Sequence, residues 1–585
     1  MAKRAQKRTL RRAGQMAEAA DKTLRSYTVG AAPILNHLLE RMKLREILQR
    51  HLPPEDGRTK VPTATGLLLL IRNVLISREP IYGVSDWAAG YAPDLLGLSE
   101  QQLAALNDDC LGRCLSRLFA CLGSELILDV VRHAVAEFRL SLDELHNDST
   151  SISFFGKYPH AAKEGTRRGR PTHAITWGFS KDHRPDLKQL LYILTVTEDG
   201  GVPVYFTTAS GNVSDDQTHA DTWDLLCQLV GHPNFLYVAD CKLASLANLD
   251  HVARRGGRFV TVLPGTRRED GEFRRRLGES PPPTAWRHLY DVMGRTLDDQ
   301  EEVVDRLSVW AAEQSTAEGY RLLWYHSTRK AELDRLTRVE RTERALLDLA
   351  GLRERLEGPR PRLRDRAQVE QAVAEILAAR EVQPWVTVRV ADEELAHYRQ
   401  ATPGRPGKDT RYVREVQSRF SLSAEVDRLR LQAAEAADGV FPLLTNQREM
   451  SAEEILRAYK RQPFIEKRFS QFKSDFAVAP VYLKDVSRIQ GLLGVYFLAL
   501  LVQTLLEREV RQAMAREKIE HLPLYGEERD CRRPTARKLI DAFEPVQRHT
   551  LTLPGEPPES LLTQLSPLQR RILNLLGIPA ANYGH

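Results

Sequence analysis

Three carboxylates stand out by where they fall in the residue pattern: Asp148, Asp240 and Glu466. Asp148 lies inside ELHNDSTSISFFG, a segment that alternates polar and apolar positions as a strand does. Strands disfavour Asp, and a buried carboxylate costs several kcal/mol unless it is paired or binds a metal. Asp240 ends the apolar run FLYVAD, at the carboxyl end of a strand, where open α/β sheets present their reactive side chains. Taken singly, Asp148 also fits an exposed Asp at a sheet edge or bulge, and Asp240 also fits a helix N-cap or a turn. Glu466 sits in AYKRQPFIEKRFSQFKSDF. Seven residues of α-helix turn about 700°, roughly 20° short of two turns, so Glu466 and Lys473 share a stripe. Tyr459 joins them if the helix continues through Pro463, which removes a backbone donor and kinks or restarts a helix. The plain alternative is a solvated charged face. Six Lys and Arg between Arg457 and Asp475, against only Glu466 and Asp475, weigh against it.

Three hard oxygen ligands on a rigid scaffold suit Mg²⁺ or Mn²⁺. Two such ions about 4 Å apart activate the attacking oxygen and stabilise the leaving oxygen of an in-line phosphoryl displacement. Lys and Arg nearby would hold phosphates and offset transition-state charge. This chemistry needs no covalent nucleophile and no organic cofactor.

The elements that must position these acids follow in chain order. Three strands (ELHNDSTSISFFG, LKQLLYILTVTEDG, VPVYFTTASG) precede a helix over residues 217–230, the strand FLYVAD, a helix over 245–255 and the strand RFVTVLP. Three strands, helix, strand, helix, strand is the core order of a ribonuclease H-like fold, which sets the first and fourth strands side by side. We therefore expect a multidomain α/β chain: a ribonuclease H-like mixed sheet with flanking helices, interrupted by a large, mainly helical insertion and preceded by an all-α domain. The expected segments are a basic arm (1–26), a helical N-terminal domain compatible with DNA binding or dimerisation (27–138), the first part of the core (139–265), the insertion (266–435), the second part of the core (436–512) and a C-terminal region for DNA or dimer contacts or plain surface (513–585). Ser451, followed by Glu454 at the third position, marks the helix start that leads to Glu466.

Length and composition agree with several folded units: 585 residues, 42% hydrophobic and 28% charged. The six cysteines show no C-x-x-C pairing, which points to a reduced, cytosolic chain. Residues 489–506 (IQGLLGVYFLALLVQTLL) have almost the length of a membrane span but contain two Gln and run into Glu-Arg-Glu, so we read a buried core helix and no membrane partner. Residues 1–26 hold eight basic side chains against Glu18 and Asp21, and that arm alone carries the net charge of +6. A basic arm on a neutral body suits phosphate binding by counterion release, and equally a solvated tail that binds nothing.

The blocks around the acids resemble the DDE-type insertion-sequence transposases of bacteria, in the group with a Tyr-Arg-Glu-Lys signature around the third acid. Tyr459, Glu466 and Lys473 match the signature spacing, and Gln462 stands where the signature has Arg. HNDSTSISFFG, GFSKDHRPDLKQL (178–190), ASGNVSDDQTH (209–219), YVADCKLAS (237–245) and the helix following APVYLKDVSRIQ look familial too, and the likeness covers about residues 27–510. It implies Asp148, Asp240 and Glu466 as ligands of two Mg²⁺ or Mn²⁺ ions. It implies Tyr459, Lys473, Lys181, Arg184 and Lys188 as DNA contacts, with Arg461 or Arg468 replacing the signature Arg. It further implies terminal inverted repeats and target DNA as partners, a homodimeric synapse, strand transfer, and a bacterial cytoplasmic protein associated with the nucleoid when bound. The alternatives are a ribonuclease H-like nuclease that cleaves without joining, and a decayed transposase that only binds DNA.

Overall fold

We describe a computed structural model of the chain over residues 23–279, 285–295, 300–358, 362–363, 365–479, 481–526, 529–553 and 557–583. The basic arm lies, up to residue 22, outside the described residues. The chain divides into two units, Met1–Phe259 with Ala458–His585, and Val260–Arg457.

In the first unit the chain opens with strand β1 (Thr23–Thr28), then helices α1 (Ala32–Arg41), α2 (Leu44–His51), α3 (Thr63–Ile76), α4 (Asp108–Cys121) and α5 (Ser124–Phe138). Asn107 caps α4 by accepting the Cys110 N–H (2.8 Å). The central sheet follows: β2 (Glu144–Phe154), β3 (Lys188–Thr197), β4 (Pro203–Ser210), helix α6 (His219–Val230), β5 (Leu236–Ala239) and helix α7 (Leu246–Arg254). Their order is β4-β3-β2-β5. β2 and β3 pair antiparallel from Leu145↔Thr197 to Phe154↔Lys188, and β3 pairs antiparallel with β4. β5 runs parallel to β2, ending at Asn147↔Ala239. β2 is buried at every position except Asp148, as expected of a strand covered on both faces.

After the second unit the chain returns as α8 (Pro463–Ser470) and α9 (Val486–Arg516). α9 begins at Asp485, whose carboxylate accepts the Ser487 and Arg488 N–H groups. It packs against α3, α4 and β4. Gly491 is needed for this approach, because a Cβ there would run into the Leu115 carbonyl oxygen. By length and composition α9 alone is apolar enough to cross a membrane among the described residues, and 94% of its apolar window is buried inside the protein. Each fully buried Leu, Val or Phe of that helix contributes about 1.5–3 kcal/mol. The chain then forms α10 (Ala536–Asp541), β6 (Gln547–Thr552), β7 (Glu559–Leu562) and α11 (Pro567–Leu575).

Two expectations are corrected. The boundary between the arm (1–26) and the helical domain (27–138) is instead a strand: β1 pairs antiparallel with β6 from Thr23↔Thr552 to Thr28↔Gln547, and β6 pairs with β7. TLRSYT is too short and polar to announce a strand until its distant partner is known. The insertion is not mainly helical either. The second unit contains antiparallel strands ordered Val440–Thr445, Arg321–Ser327, Glu301–Trp310 and Trp286–Arg295. It also contains a long hairpin of Val386–Gln400 with Tyr412–Val426. Helices Thr328–Glu357 and Arg366–Arg380 pack on that hairpin through Leu349, Leu352, Val369, Trp385 and Phe420. Charge hid these strands. Asp305, for example, takes an inward position and accepts hydrogen bonds from the Ser327 hydroxyl (2.8 Å) and the Arg329 N–H (3.1 Å).

Candidate active site

The register of two neighbouring strands brings the first two acids together. Asn147 on β2 faces Ala239 on β5 in a parallel pair, so the next residues along both chains are Asp148 and Asp240. Adjacent strands lie about 4.8 Å apart, and residues in parallel register point to the same face. Asp148 Oδ1 accepts the Ser149 N–H (2.7 Å) and a proton of the Lys181 ammonium (3.2 Å). Burial pushes the Asp148 carboxyl up to about 6; Lys181 opposes the shift and the Asp240 charge adds to it. Asp240 caps the short turn Cys241–Ala244, its Oδ1 accepting the Lys242 N–H (2.9 Å). The cap that competes with a catalytic reading of this Asp is thus formed, and the same carboxylate stands beside Asp148.

The third acid arrives on a restarted helix. Ser451 and Glu454 form their capping box, with Ser451 N–H donating to Glu454 Oε2 (2.7 Å) and Glu454 N–H to Ser451 Oγ (3.2 Å). That helix ends at Tyr459, and α8 begins anew at Pro463, its first-turn position. Glu466 is exposed in the first turn of α8. Tyr459 lies half-buried, and its hydroxyl is pushed up to about 12, first by burial and then by the charges of Asp240, Cys241, Glu466 and Asp148. One ring therefore feels the field of all three acids. The stripe linking Glu466 to Lys473 is broken: α8 passes into a π-type turn at Gln471–Asp475, closed by Phe476 N–H to the Gln471 carbonyl. Lys473 instead pairs with Asp182 (2.5 Å).

Two further networks hold α8 in place. Gln462, at the signature Arg position, is buried; its Oε1 meets His146 Nδ1 (2.9 Å) and its Nε2 donates to the Asn147 carbonyl (3.2 Å). His146 Nε2 meets Glu144 Oε1 (2.8 Å), and Arg461 grips Glu144 with two guanidinium nitrogens. Burial alone would raise the Glu144 carboxyl, but His146 and Arg461 hold it below the ordinary range. Arg468 is only 2% exposed. It donates to the Gly201 carbonyl (2.8 Å), Gln471 Oε1 (2.6 Å) and the buried Glu507 Oε2 (2.9 Å). Neither Gln462 nor Arg468 reaches the surface, so the expectation that Arg468 replaces the signature Arg at DNA is corrected. Arg461 is half-buried and spoken for by Glu144.

The loop of residues 178–190 closes the mouth. The Lys181 ammonium reaches Asp148 Oδ1, the Ser149 carbonyl and Oγ (2.8 Å each), and Asp215 Oδ2 (3.0 Å), so it is not a free DNA contact here. Arg184 is exposed and paired with Asp186. Lys188 Nζ donates to the Lys157 carbonyl (2.6 Å) and stands 4.7 Å over the Trp177 ring. Residue patterns did not single out the three rings beside these cations: Phe155 (49% exposed), Trp177 (58%) and Phe179 (86%). Phe155 lies 5.8 Å under the Arg184 guanidinium. They were findable, since Trp-Gly-Phe immediately precedes the SKDHR run. Asp215 and His219 were likewise not singled out within ASGNVSDDQTH. His219 is buried, with Nδ1 at 3.0 Å from the Tyr237 hydroxyl and its pKa pushed down to about 4 by burial.

As a metal centre the donor set is all hard oxygen, which fits Mg²⁺ or Mn²⁺. Asp148 and Asp240 are neighbours, but the three acids form no cage: among the described residues no three His, Cys, Asp or Glu side chains are placed to hold a metal ion together.

The family model described as a transposase DDE domain matches residues 145–502, more than half of the chain. The chain belongs to the transposase DDE domain family. The matched span of this transposase contains Asp148, Asp240 and Glu466 together with the entire second unit. Residues 24–132 match a second model, a domain of unknown function (DUF4277). Among solved structures, the transposase is similar to the piggyBac transposase synaptic complex with hairpin DNA, determined by cryo-EM, at 10% identity and a TM-score of 0.26. That match covers 51% of this chain and 60% of the other. No curated protein matches the DDE transposase.

Proposed function

We propose that this transposase moves a bacterial insertion sequence. It binds the terminal inverted repeats as a homodimer in the cytoplasm, cleaves DNA at the element ends and joins them to target DNA. The observation that carries the reading is the β2–β5 register, which sets Asp148 beside Asp240 at a mouth that Glu466 and Tyr459 also border. Strand order β4-β3-β2-β5, with one parallel pair at β2–β5, supports a ribonuclease H-like core.

Asp148, Asp240 and Glu466 would hold two Mg²⁺ or Mn²⁺ ions, which when bound supply activation of the attacking oxygen and stabilisation of the leaving oxygen. The remaining work falls to side chains. Tyr459 borders the mouth beside Glu466, and Lys473 joins it through Asp182 of the Lys181 loop; a phenol and an ammonium there would orient phosphates. Phe155, Trp177 and Phe179, interleaved with Arg184 and Lys188, form a cationic aromatic face. Such faces hold nucleic acid by stacking and charge together. The helices of residues 27–138 are assigned to end recognition, and residues 513–585 to DNA or dimer contacts.

The test is cleavage of a DNA duplex carrying the element end, with gel-shift binding measured alongside. Asp148→Asn, Asp240→Asn and Glu466→Gln each abolish Mg²⁺-dependent cleavage while end binding stays within a few-fold of the unsubstituted protein. Near-normal strand transfer by any of the three would refute the site.

A further inference from the structure

Lys181 stands at the point where a metal ion and an ammonium compete. Its three protons face four acceptors: Asp148 Oδ1 (3.2 Å), Asp215 Oδ2 (3.0 Å), and the Ser149 carbonyl and Oγ (2.8 Å each). The loop that carries it is pinned on both sides. The Lys181 N–H donates to Ser151 Oγ (3.2 Å), and the next residue, Asp182, holds Lys473. A divalent cation sits about 2.1 Å from a carboxylate oxygen. An ammonium 3.2 Å from that same oxygen would then lie within roughly 5 Å of a double positive charge in a half-buried site, where screening is weak. A cation on Asp148 therefore repels the ammonium and loosens its hold on Oδ1.

Asp215 changes the outcome of that competition. It belongs to the turn Asp215–Thr218, which packs on the turn Cys241–Ala244 that Asp240 caps. Asp215 is not one of the three acids, so it and Ser149 keep their hold when Asp148 lets go. The ammonium stays at the mouth, held by Asp215 and Ser149 and no longer paired with Asp148. We propose that Lys181 is a metal-gated phosphate ligand: Asp148 sequesters its ammonium until a divalent cation claims the carboxylate, and Asp215 acts as the positioning residue that keeps the released ammonium facing the DNA. The inference rests on Asp148 being a metal ligand. It couples ion loading to DNA affinity, and such coupling is reciprocal.

Two measurements on the full chain test it. Mn²⁺ binding without DNA is followed by the electron-spin-resonance signal of the free ion, and end-DNA affinity is measured in EDTA and in Ca²⁺. Lys181→Met binds Mn²⁺ about tenfold tighter than the unsubstituted protein, Lys181→Gln shifts the same way, and the charge-conserving Lys181→Arg stays within about twofold. A circular-dichroism spectrum and melting temperature like those of the unsubstituted protein show that Lys181→Met is folded. Ca²⁺ tightens DNA binding about tenfold in the unsubstituted protein, by a several-fold smaller factor in Lys181→Met, and by an intermediate factor in Asp215→Asn. Equal or weaker Mn²⁺ affinity in Lys181→Met, with Asp148→Asn losing the ion, overturns the gate and leaves the metal site standing. Mn²⁺ bound equally by Asp148→Asn and the unsubstituted protein overturns both. A full Ca²⁺ effect in Asp215→Asn removes Asp215 from the device.

Discussion

Asp148 and Asp240 owe their proximity to the sheet, whereas Glu466 owes its place to clamps. The two Asp residues extend a parallel strand pair whose backbone register admits no slippage without turning every β2 side chain to the wrong face. Glu466 sits on an eight-residue helix that starts at a proline, ends in a π-type turn and exposes its acid. Nothing in the helix itself sets its distance from β2; Gln462, Arg461 and Arg468 do that from below. One half of the site is thus rigid by construction. The other is adjustable, and depends on the buried Gln462 and Arg468 and the half-buried Arg461.

This contrast can be broken by moving the third acid without touching its clamps. Each helical residue turns about 100°, so the double change Glu466→Ala with Lys467→Glu swings the carboxylate away from the mouth. Cleavage should fall by roughly 10³-fold or more, as for loss of a transition-state group, with the melting temperature little changed.

Arg468→Ala attacks the clamp instead. It leaves the fully buried Glu507 with only Arg511 as its cationic partner and should cost about 3 kcal/mol in denaturant unfolding. A surface DNA contact would cost almost nothing, so a near-zero effect would return Arg468 to the DNA-binding set.

The rigid half can be sharpened by pH. The Asp148 carboxyl titrates near 6 in the folded chain and near 3.8 when free, so the folded state binds that proton more tightly than the unfolded one. Stability is therefore lost as pH rises from about 4 through 6, and stays lost above. Asp148→Asn should raise stability at pH 7.5 by on the order of 2 kcal/mol, less whatever the Lys181 pair contributes, and the gain should vanish near pH 4. Thermal melts at the two pH values decide it.

The smallest effect belongs to Gln462→Ala. Losing its bonds to His146 and the Asn147 carbonyl should cost about 1–2 kcal/mol. Because those bonds set the height of α8 over β2, the cleavage rate should fall by more than the stability loss accounts for. A loss confined to stability would make Gln462 a packing residue only.

The same contrast explains how much of the molecule was legible in its residues. Asp148 and Asp240 were readable because strand alternation and strand ends are local patterns, and the parallel pairing followed from element order. Glu466 was readable as an acid on a basic helix, and Pro463 as the point where that helix restarts. Its alignment with Lys473 was not, since the heptad argument assumes an unbroken α-helix. Arg468 read as surface because its partners, the Gly200–Gly201 turn and Glu507, lie far away in sequence. The dual engagement of Lys181 was hidden for the same reason: Asp148 and Asp215 are 67 residues apart. In the insertion, charged and inward-facing polar residues such as Asp305 masked strands whose partners are distant.

The pairing of β1 with β6 sets a clock on synthesis. Thr28 meets Gln547, so the first strand waits for about 520 further residues before β6 exists to pair with it, with only the Thr28 N–H to Gly90 carbonyl bond (2.8 Å) available sooner. At roughly 5–20 residues per second that delay is about half a minute to two minutes. For all that time the nascent chain presents an unpaired edge. A message cut short before Gln547 would leave that edge open for good, and the polar, mostly exposed TLRSYT is a sequence that tolerates the wait.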